Sequence, residues 1–313
     1  MKNYIGLDIG GTKILGVLYD EKGNPIIKRK KKTKASEGLD VVMEQIFKVV
    51  DELLEDKSLE LIGIGAGIPG LVTDEGIITF SPNIPLRDFN LKKILSKKYD
   101  VPVIIGNDVN VAMFGEFKCL NRDDLKHVLG LFIGTGVGGA IIIDGKLYQG
   151  QGAAAEFGHM VVNSDGVFCG CGSQGCLEAY ASKWAIQEFI QSQIKKGRKS
   201  VLSEILESGD VIKSSAIEKA YSEGDEVTVE AIDRAVRYLG IALGSLINLF
   251  NPQMIILGGG MMESMGKTLK SKIIEESTLH AMPGLMKTVE FSLSVLGDDA
   301  GVYGACQLIS NNK

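Results

Sequence analysis

Three of the five cysteines in this sequence lie within eight residues of one another. Cys169, Cys171 and Cys176 stand in the segment FCGCGSQGC, and His159 lies ten positions before the first of them. Three thiolates and one imidazole match the ligand set of a closed, tetrahedral structural zinc site. The alternative is a disulfide, which is disfavoured by a reducing compartment, by the strain of a CxC bridge and by the odd number of thiols. The sequence therefore predicts a structural Zn²⁺ held by these four side chains.

Two carboxylates stand close to the predicted metal ligands in the sequence. Glu156 lies three residues before His159, and Glu178 lies two residues after Cys176. A metal that fixes this loop also fixes both carboxylates, which accept hydrogen bonds but donate none. A polyhydroxylated ligand supplies the matching donors, so the pair indicates a site for such a ligand.

Two short glycine turns could hold a phosphate group. GGTK at Gly10–Lys13 and GTG at Gly134–Gly136 each connect two apolar runs that are typical of strands. Glycine leaves room for an anion beside the backbone N–H groups, although most such turns are only turns. The second turn and its flanking strands repeat the first about 125 residues later, which indicates an internal duplication. We expect a ligand cleft between the two similar halves.

Two segments match the dinucleotide pattern GxGxxG but lack the helix that this pattern requires. They are Gly65–Gly70 (GAGIPG) and Gly134–Gly139 (GTGVGG). The fingerprint needs a helix directly after the glycines, so that its N-terminal amides hold the pyrophosphate. Here a hairpin is predicted after the first segment and a strand after the second, so neither is interpreted as a dinucleotide site.

Asp108 is the candidate general base. It follows the apolar strand VPVII, then Gly106 and Asn107, and it precedes the helical segment VNVAMFGEF. The alternative interpretation is that Asp108 only caps this helix. A carboxylate where a strand ends and a helix begins is well placed to act as a base in the expected cleft.

The elements that must position these residues follow from periodicity and from turn residues. The predicted strands are Tyr4–Asp8, Ile14–Tyr19, Pro25–Lys34, Leu61–Gly67, Val101–Gly106 and Gln253–Leu257, with two more around Gly134–Gly136. The predicted helices are Leu39–Glu55, one that starts near Asp108, Leu177–Ile194, Ser214–Tyr221, Val227–Phe250 and Asp299–Ile309. The last helix is expected to pack on the first half of the chain. The predicted domains are therefore 1–118 with about 299–313, and 119–298.

Composition and charge exclude several classes of function. The 313 residues are 45% hydrophobic and 23% charged, which is ordinary for a folded protein of about two domains. A net charge of −5 argues against a dedicated binder of nucleic acid or of an anionic membrane. The basic run Lys28–Lys34 (KRKKKTK) could indicate nucleic-acid binding or nuclear localisation, but an edge strand protected by lysines is the preferred interpretation. No signal peptide or membrane helix is predicted, so a cytoplasmic protein is expected.

Six motifs, in order over nearly the whole chain, resemble the ROK family of repressors, open reading frames and sugar kinases. They are DIGGTK at 8–13, NDVN at 107–110, IGTGVGG at 133–139, EFGH at 156–159, CGCGSQGCLE at 169–178 and ILGGG at 256–260. The resemblance implies an α/β fold of the two-domain, actin-like and hexokinase-like ATPase type (ribonuclease H-like). It also implies a hexose kinase that uses ATP and Mg²⁺, and a homodimer or homotetramer.

The resemblance also implies roles for single residues. Asp108 matches the general base that takes a proton from the attacking sugar hydroxyl. The positions that match sugar contacts are Gly67, Asn83, Asn107, Glu156, His159 and Glu178. The positions that match the phosphate loops are Asp8, Gly10, Gly11, Thr12, Lys13, Gly134, Thr135 and Gly136, and those on the adenosine side are Gly258, Gly259 and Gly260. His159 would use one ring nitrogen for zinc and would direct the other towards the sugar.

The motifs leave the substrate open. Glucose is the first expectation, but kinases for N-acetylmannosamine, N-acetylglucosamine or fructose share the same residues, and polyphosphate is an alternative donor to ATP. A sugar-responsive repressor of the same family is the alternative of a different class. Such repressors carry a winged helix-turn-helix before the DIGGT strand. That strand starts at Tyr4 here, so no such domain is expected.

Overall fold

The first sheet forms around the apolar residues that open the chain. In a computed structural model, which describes residues 2–56, 58–73 and 75–311, Ile5, Leu7 and Ile9 are fully buried against the helix over residues 39–53. The opposite face of the sheet packs on the last helix through Tyr4 and Val302. Because both faces of this sheet are covered, the strand that opens the chain carries apolar residues on both of its sides.

Thirteen strands are described in these three ranges. They are β1 (Lys2–Ile9), β2 (Lys13–Asp20), β3 (Pro25–Lys32), β4 (Glu60–Ile68), β5 (Leu71–Val72), β6 (Ile77–Phe80), β7 (Arg87–Asn90), β8 (Val103–Asn107), β9 (Val128–Ile133), β10 (Val137–Ile143), β11 (Lys146–Tyr148), β12 (Met254–Gly258) and β13 (Glu290–Leu293). The predicted hairpin around GGTK is confirmed as β1 and β2, which pair antiparallel.

The same ranges contain ten α-helices. They are α1 (Leu39–Leu53), α2 (Leu91–Tyr99), α3 (Asp108–Cys119), α4 (Glu178–Ala181), α5 (Lys183–Lys195), α6 (Ser203–Glu207), α7 (Ser214–Ser222), α8 (Glu226–Phe250), α9 (Gly260–His280) and α10 (Ala300–Ser310). None of them combines the length and the apolar composition that crossing a bilayer requires.

The two five-stranded sheets have the same strand order, which confirms the internal duplication. The first is β3-β2-β1-β4-β8 and the second is β11-β10-β9-β12-β13. In the first sheet, β1, β4 and β8 are parallel, and in the second, β9, β12 and β13 are parallel. The third sheet, β5-β6-β7, begins at the hairpin predicted after GAGIPG, so this segment is confirmed not to lead into a helix.

The basic run forms an edge strand, as predicted. β3 is the outermost strand of the first sheet, and it ends at Lys32 rather than at Lys34. Lys28 forms an ion pair with Asp299, and Lys31 lies 2.6 Å from a carboxylate oxygen of Glu52. Charged side chains on an exposed edge strand oppose pairing with another chain.

The chain folds into two compact units. The first contains residues 1–124, 140–154 and 295–313, and the second contains residues 125–139 and 155–294. Within the first unit, α10 packs against β1, β4 and α3, as expected for the last helix. The domain limits given above stay a prediction.

Two details of the helices differ from the prediction. The helix predicted over Leu177–Ile194 is interrupted, because Ser182 is extended and its hydroxyl oxygen accepts a hydrogen bond from the Ala185 N–H at 3.0 Å, which starts α5. The two cysteines outside the metal cluster, Cys119 and Cys306, lie on helices, where free thiols are expected to be buried in the core. Cys306 is buried on α10, whereas Cys119 is only half-buried at the end of α3.

Candidate active site

Asp108 lies at the carboxyl edge of the first sheet, beside the ends of three parallel strands. The register pairs Asp8 of β1 with Gly67 of β4, and Gly67 with Gly106 of β8. Asn107 ends β8 and Asp108 begins α3. Because parallel strands end at the same edge of a sheet, this register brings Asp8, Gly67 and Asp108 together.

Asn107, and not Asp108, caps α3. The Asn107 Oδ1 accepts hydrogen bonds from the N–H groups of Val109 at 3.0 Å and Asn110 at 3.1 Å. The interpretation of Asp108 as the cap is therefore wrong. Asn107 already accepts hydrogen bonds from these amides. The Asp108 carboxylate accepts one hydrogen bond from the Val109 N–H, at 2.9 Å.

The Asn107 side chain has little hydrogen-bonding capacity left for a ligand. Its Oδ1 also accepts from the Asn110 Nδ2 at 3.4 Å, and its own Nδ2 donates to the Gly70 carbonyl at 3.0 Å. An amide nitrogen carries two hydrogens, so among the described partners one remains available. Asn107 therefore caps the helix that Asp108 begins, and it can donate a single hydrogen bond to a ligand.

Two carboxylates in this part of the site have raised pKa values. Burial raises the pKa of Asp108, although the bond from the Val109 N–H opposes the shift. Burial also raises the pKa of Asp8 to about 6, the charges of Asp108 and Asp298 add to the shift, and Lys13 opposes it. A carboxylate with a raised pKa is a stronger proton acceptor than an ordinary aspartate, and it is a frequent feature of active sites.

The first glycine turn, Gly10–Lys13, is held by main-chain contacts. The Gly10 N–H donates to the Lys13 carbonyl at 2.9 Å, and the Thr33 N–H donates to the Thr12 carbonyl at 3.0 Å. A Cβ on Gly11 would lie 2.8 Å from both the Cβ and the carbonyl oxygen of Asn83. The structure therefore brings Asn83 to this turn. Lys13 Nζ lies 3.1 Å from an oxygen of Asp298, a residue that the sequence analysis did not single out.

The four predicted metal ligands form one cluster. Their ligand atoms all lie within 4.8 Å of one another. Cys169 Sγ is 3.7 Å from His159 Nδ1, and Cys171 Sγ is 3.7 Å from Cys176 Sγ. A tetrahedron with Zn–S bonds of ~2.3 Å places its sulfur atoms roughly 3.8 Å apart, so the arrangement fits a four-coordinate zinc ion. All five cysteines are free, so the disulfide alternative is not observed.

The thiols of this cluster differ in acidity. The Ser173 N–H, which stabilises the thiolate, lowers the pKa of Cys171 to about 7. Burial raises the pKa of Cys169, and it raises the pKa of Cys176 to about 12. A metal ion that binds thiols deprotonates them. A divalent cation bound here would therefore stabilise the neighbouring cysteines as thiolates.

Glu178 contacts both the metal cluster and the second glycine turn. Its Oε2 accepts a hydrogen bond from the Val137 N–H at 2.9 Å, and its Oε1 lies 3.9 Å from Cys169 Sγ. Glu156 ends eight residues of irregular chain, 149–156, before the short helical turn Phe157–His159, and its carbonyl accepts from the His159 N–H at 3.0 Å. The second unit therefore brings Glu178, the metal cluster and the turn Gly134–Gly136 together.

The glycines at Gly258–Gly260 lie beside the same turn. Gly258 ends β12 next to Phe132 of β9, and Gly259 packs against Ile133, directly before Gly134. The long helix α9 begins at Gly260 and was not predicted. Its apolar residues Met261, Met265 and Leu269 recur at helical spacing, so the signal was present in the sequence. The start of a helix here offers N–H groups to an anion.

Comparison with known proteins identifies the family of this chain. Residues 4–312 match the ROK family. The chain belongs to the ROK family. It is 34% identical to a glucokinase of Halalkalibacterium halodurans, over 99% of this chain and 96% of that protein. It is also 31% identical to the xylose repressor of Bacillus subtilis, over 97% of this chain and 76% of the repressor.

A solved structure confirms the fold. This ROK chain is similar to a ROK family glucokinase from Streptomyces griseus in complex with glucose and AMPPNP, with a TM-score of 0.80 and 32% identity. The match covers 98% of each chain. The α/β fold of the actin-like sugar kinases, which the motifs predicted, is therefore correct.

Proposed function

We propose that this ROK-family protein is an ATP-dependent glucokinase, which converts glucose and ATP to glucose 6-phosphate and ADP. The half-buried Asp108, directly after the end of β8 and beside the end of β1, is the observation that carries the proposal. Similarity over nearly the whole chain to a glucokinase of Halalkalibacterium halodurans, at 34% identity, supports glucose as the substrate.

Asp108 acts as the general base. As the sugar oxygen forms its bond to the γ-phosphorus of ATP, the bond from that phosphorus to the β–γ bridging oxygen breaks, and the hydroxyl proton passes to Asp108. Phosphoryl transfer depends mainly on positioning and on neutralisation of charge. A carboxylate with a raised pKa suits the proton acceptor, because its proton affinity is closer to that of the attacking group.

The sugar is bound by residues that the family resemblance implies. They are Gly67, Asn83, Asn107, Glu156, His159 and Glu178. Asn107 contributes one N–H because its other groups are engaged with α3 and Gly70. Glu156 and Glu178 accept hydrogen bonds from sugar hydroxyls, which is what ionised carboxylates do best.

ATP is bound by the two glycine turns. Lys13 and the backbone N–H groups of both turns neutralise the phosphates, and Mg²⁺ arrives with the nucleotide. The residues of this set are Asp8, Gly10, Gly11, Thr12, Lys13, Gly134, Thr135 and Gly136, with Gly258, Gly259 and Gly260 on the adenosine side. The start of α9 at Gly260 supports the assignment of Gly258, Gly259 and Gly260 to the nucleotide. The N–H groups at a helix N-terminus favour anions, such as the phosphates of ATP.

A structural zinc ion is held by His159, Cys169, Cys171 and Cys176. The donor set and the separations of 3.7 Å support this metal over harder cations. When bound, zinc supplies rigidity to the loop and no catalytic water, since all four positions are taken by the protein. The free thiols also support a reducing, cytoplasmic location, and we propose a homodimer or homotetramer from the family resemblance.

The test is release of ADP by the purified chain with a panel of sugars, measured with a coupled assay. The panel contains glucose, mannose, fructose, N-acetylglucosamine and N-acetylmannosamine, with ATP or polyphosphate as the donor. Glucose with ATP is expected to give the highest kcat/KM. A higher kcat/KM with another sugar would change the substrate, and no turnover with any sugar would contradict the proposal.

A further inference from the structure

The carboxylate of Glu178 faces a different partner with each of its two oxygens. Oε2 accepts the hydrogen bond from Val137, the residue directly after the second glycine turn. Oε1 faces the sulfur of Cys169 at 3.9 Å. One side chain thus contacts both a predicted metal ligand and the start of β10.

The second glycine turn packs closely against the Glu178 side chain. A Cβ built on Gly136 would overlap Glu178 Oε2, whereas a Cβ on Gly134 meets nothing within 4 Å. The two outer glycines of the same turn therefore differ. Gly136 makes room for the carboxylate, and Gly134 borders open space.

The position of Glu178 is set by the metal-binding loop. The Leu177 N–H donates to the Met160 carbonyl at 2.9 Å, and the Ala179 N–H donates to the Cys176 carbonyl at 3.1 Å. Between residues 160 and 176 the described pairings are isolated bridges rather than strands, so the loop has little regular structure of its own. The loop contains main-chain hydrogen bonds, such as those from Val162 to Gly175 and from Cys169 to Ser173, and metal ligation by His159 and the three cysteines would add to them.

The chain after Glu178 also contacts the turn. The Lys183 N–H donates to the Gly134 carbonyl at 2.9 Å, and the Trp184 N–H donates to the Thr135 carbonyl at 3.5 Å. The turn is therefore bounded by one continuous segment, 178–184, that starts two residues after the last metal ligand. Movement of this segment changes the direction of the turn's carbonyl and N–H groups.

We propose that Glu178 is a positioning residue that couples the metal site to the second glycine turn, so that metal occupancy sets the affinity of this turn for nucleotide phosphates. The proposal rests on the proposed function for its ligand and goes beyond it in giving the metal an effect on the nucleotide. By linkage, a metal that strengthens nucleotide binding must itself be bound more tightly, by the same factor, when nucleotide is present.

The experiment measures this factor in both directions, without sugar. The affinity for a non-hydrolysable ATP analogue with Mg²⁺ is measured on zinc-loaded and chelator-treated protein by calorimetry. The affinity for Zn²⁺ is measured with a chromophoric chelator, with and without the analogue. We expect both affinities to change by the same factor of about 5 or more, which is the lower end of typical couplings.

Variants of Glu178 separate coupling from simple structural support. Glu178→Ala is expected to reduce the factor to about 1, because the Val137 N–H loses its acceptor. Glu178→Gln is expected to retain most of it, since the amide oxygen can still accept that bond. Equal nucleotide affinity of the loaded and chelated wild type would overturn the inference alone. If the analogue binds neither form, the proposed function of this turn fails, and the nucleotide part of the inference fails with it.

Amide hydrogen exchange at Val137 tests the contact independently of nucleotide. Removal of zinc is expected to speed this exchange at least ~10-fold, because the acceptor of the amide becomes mobile. Gly136→Ala, which displaces the carboxylate, should do the same with zinc present. Gly134→Ala is the matched control and should leave the exchange unchanged. Unchanged exchange on removal of zinc would overturn the coupling itself.

Discussion

The two glycine turns follow the first strand of equivalent sheets, yet they are held in different ways. The turn at Gly10–Lys13 is fixed by main-chain hydrogen bonds to Thr33 and by the backbone of Asn83. The turn at Gly134–Gly136 contacts the main chain of Lys183 and Trp184 and also the Glu178 carboxylate, which lies two residues after the last predicted metal ligand. The same topology thus supports one turn held by main-chain contacts and one held by main-chain contacts together with a carboxylate.

The proposed base and the proposed sugar-binding carboxylates are also positioned in different ways. Asp108 is positioned by the register of three parallel strands and by the cap of α3. Glu156 and Glu178 flank a loop with little regular structure. Catalytic geometry at Asp108 should therefore survive loss of the metal, whereas geometry at Glu178 should not.

The largest expected effect lies in the region fixed by regular structure. Asp108→Asn is expected to lower kcat at least ~10²-fold with a modest change in sugar affinity, because the proton acceptor is lost while the shape is retained. Steady-state kinetics with calorimetric titration of the sugar measure both quantities. A variant with unchanged kcat would remove Asp108 from this role.

The next prediction concerns the carboxylate of Asp8, which lies beside Asp108. The folded-state pKa of Asp8, about 6, is above its ordinary value of 3.8, so the folded protein binds this proton more tightly than the unfolded chain does. The stability of the wild type should therefore fall as pH rises from about 4 to about 6. Without ligands at pH 7, Asp8→Asn should raise the free energy of unfolding by up to about 3 kcal/mol.

Denaturant unfolding of both proteins at pH 4 and pH 7 provides the measurement. The difference between wild type and Asp8→Asn should be much smaller at pH 4, because the carboxyl group is almost fully protonated in the folded state and partly protonated in the unfolded state. A difference that is the same at both pH values would contradict the raised pKa of Asp8.

Much of this pH-sensitive region could be predicted from the sequence. The alternation of Tyr4–Asp8 and the apolar run before Gly106 predict β1 and β8, and the register then follows from a parallel sheet. The metal cluster was also predictable, because three of its ligands are local in sequence. The Glu178–Val137 contact was not, since it joins residues 41 positions apart through a loop without periodicity.

The remaining differences also have physical causes. Residues 177–194 look like one helix because their apolar spacing is continuous, and the buried Ser182 that starts a new helix is not distinguishable from a helical serine. α9 was missed because two glycines precede it and a third begins it, although its methionines and leucines have helical spacing. Short strands such as β7 and β13 carry too few residues for a periodicity to be seen.

A third prediction compares the two turns directly through matched alanine substitutions. Gly11→Ala should lower the free energy of unfolding by about 1–3 kcal/mol, because its Cβ meets the backbone of Asn83. Gly136→Ala should lower it less, because only the end of the Glu178 side chain must move. Equal losses in denaturant unfolding would show that the two turns are held alike.

The smallest expected effect concerns the metal. Cys171→Ser is expected to lose zinc and to weaken glucose binding about tenfold, because Glu156 and Glu178 lose their fixed positions. Metal content by atomic absorption and glucose affinity by calorimetry are measured on the same samples. Cys119→Ser, at a thiol outside the cluster, is the control and should retain both. Zinc-free wild type with full activity would contradict this prediction.

Identification of the product is the most direct test of the proposed glucose phosphorylation with Asp108 as the base. The purified chain is incubated with glucose, ATP and Mg²⁺, and the phosphorylated species are quantified by phosphorus NMR. The wild type is expected to form glucose 6-phosphate and ADP in equal amounts. The Asp108→Asn variant is expected to form neither at a comparable rate. ATP hydrolysis without a sugar phosphate, or equal rates for the two proteins, would contradict the proposal.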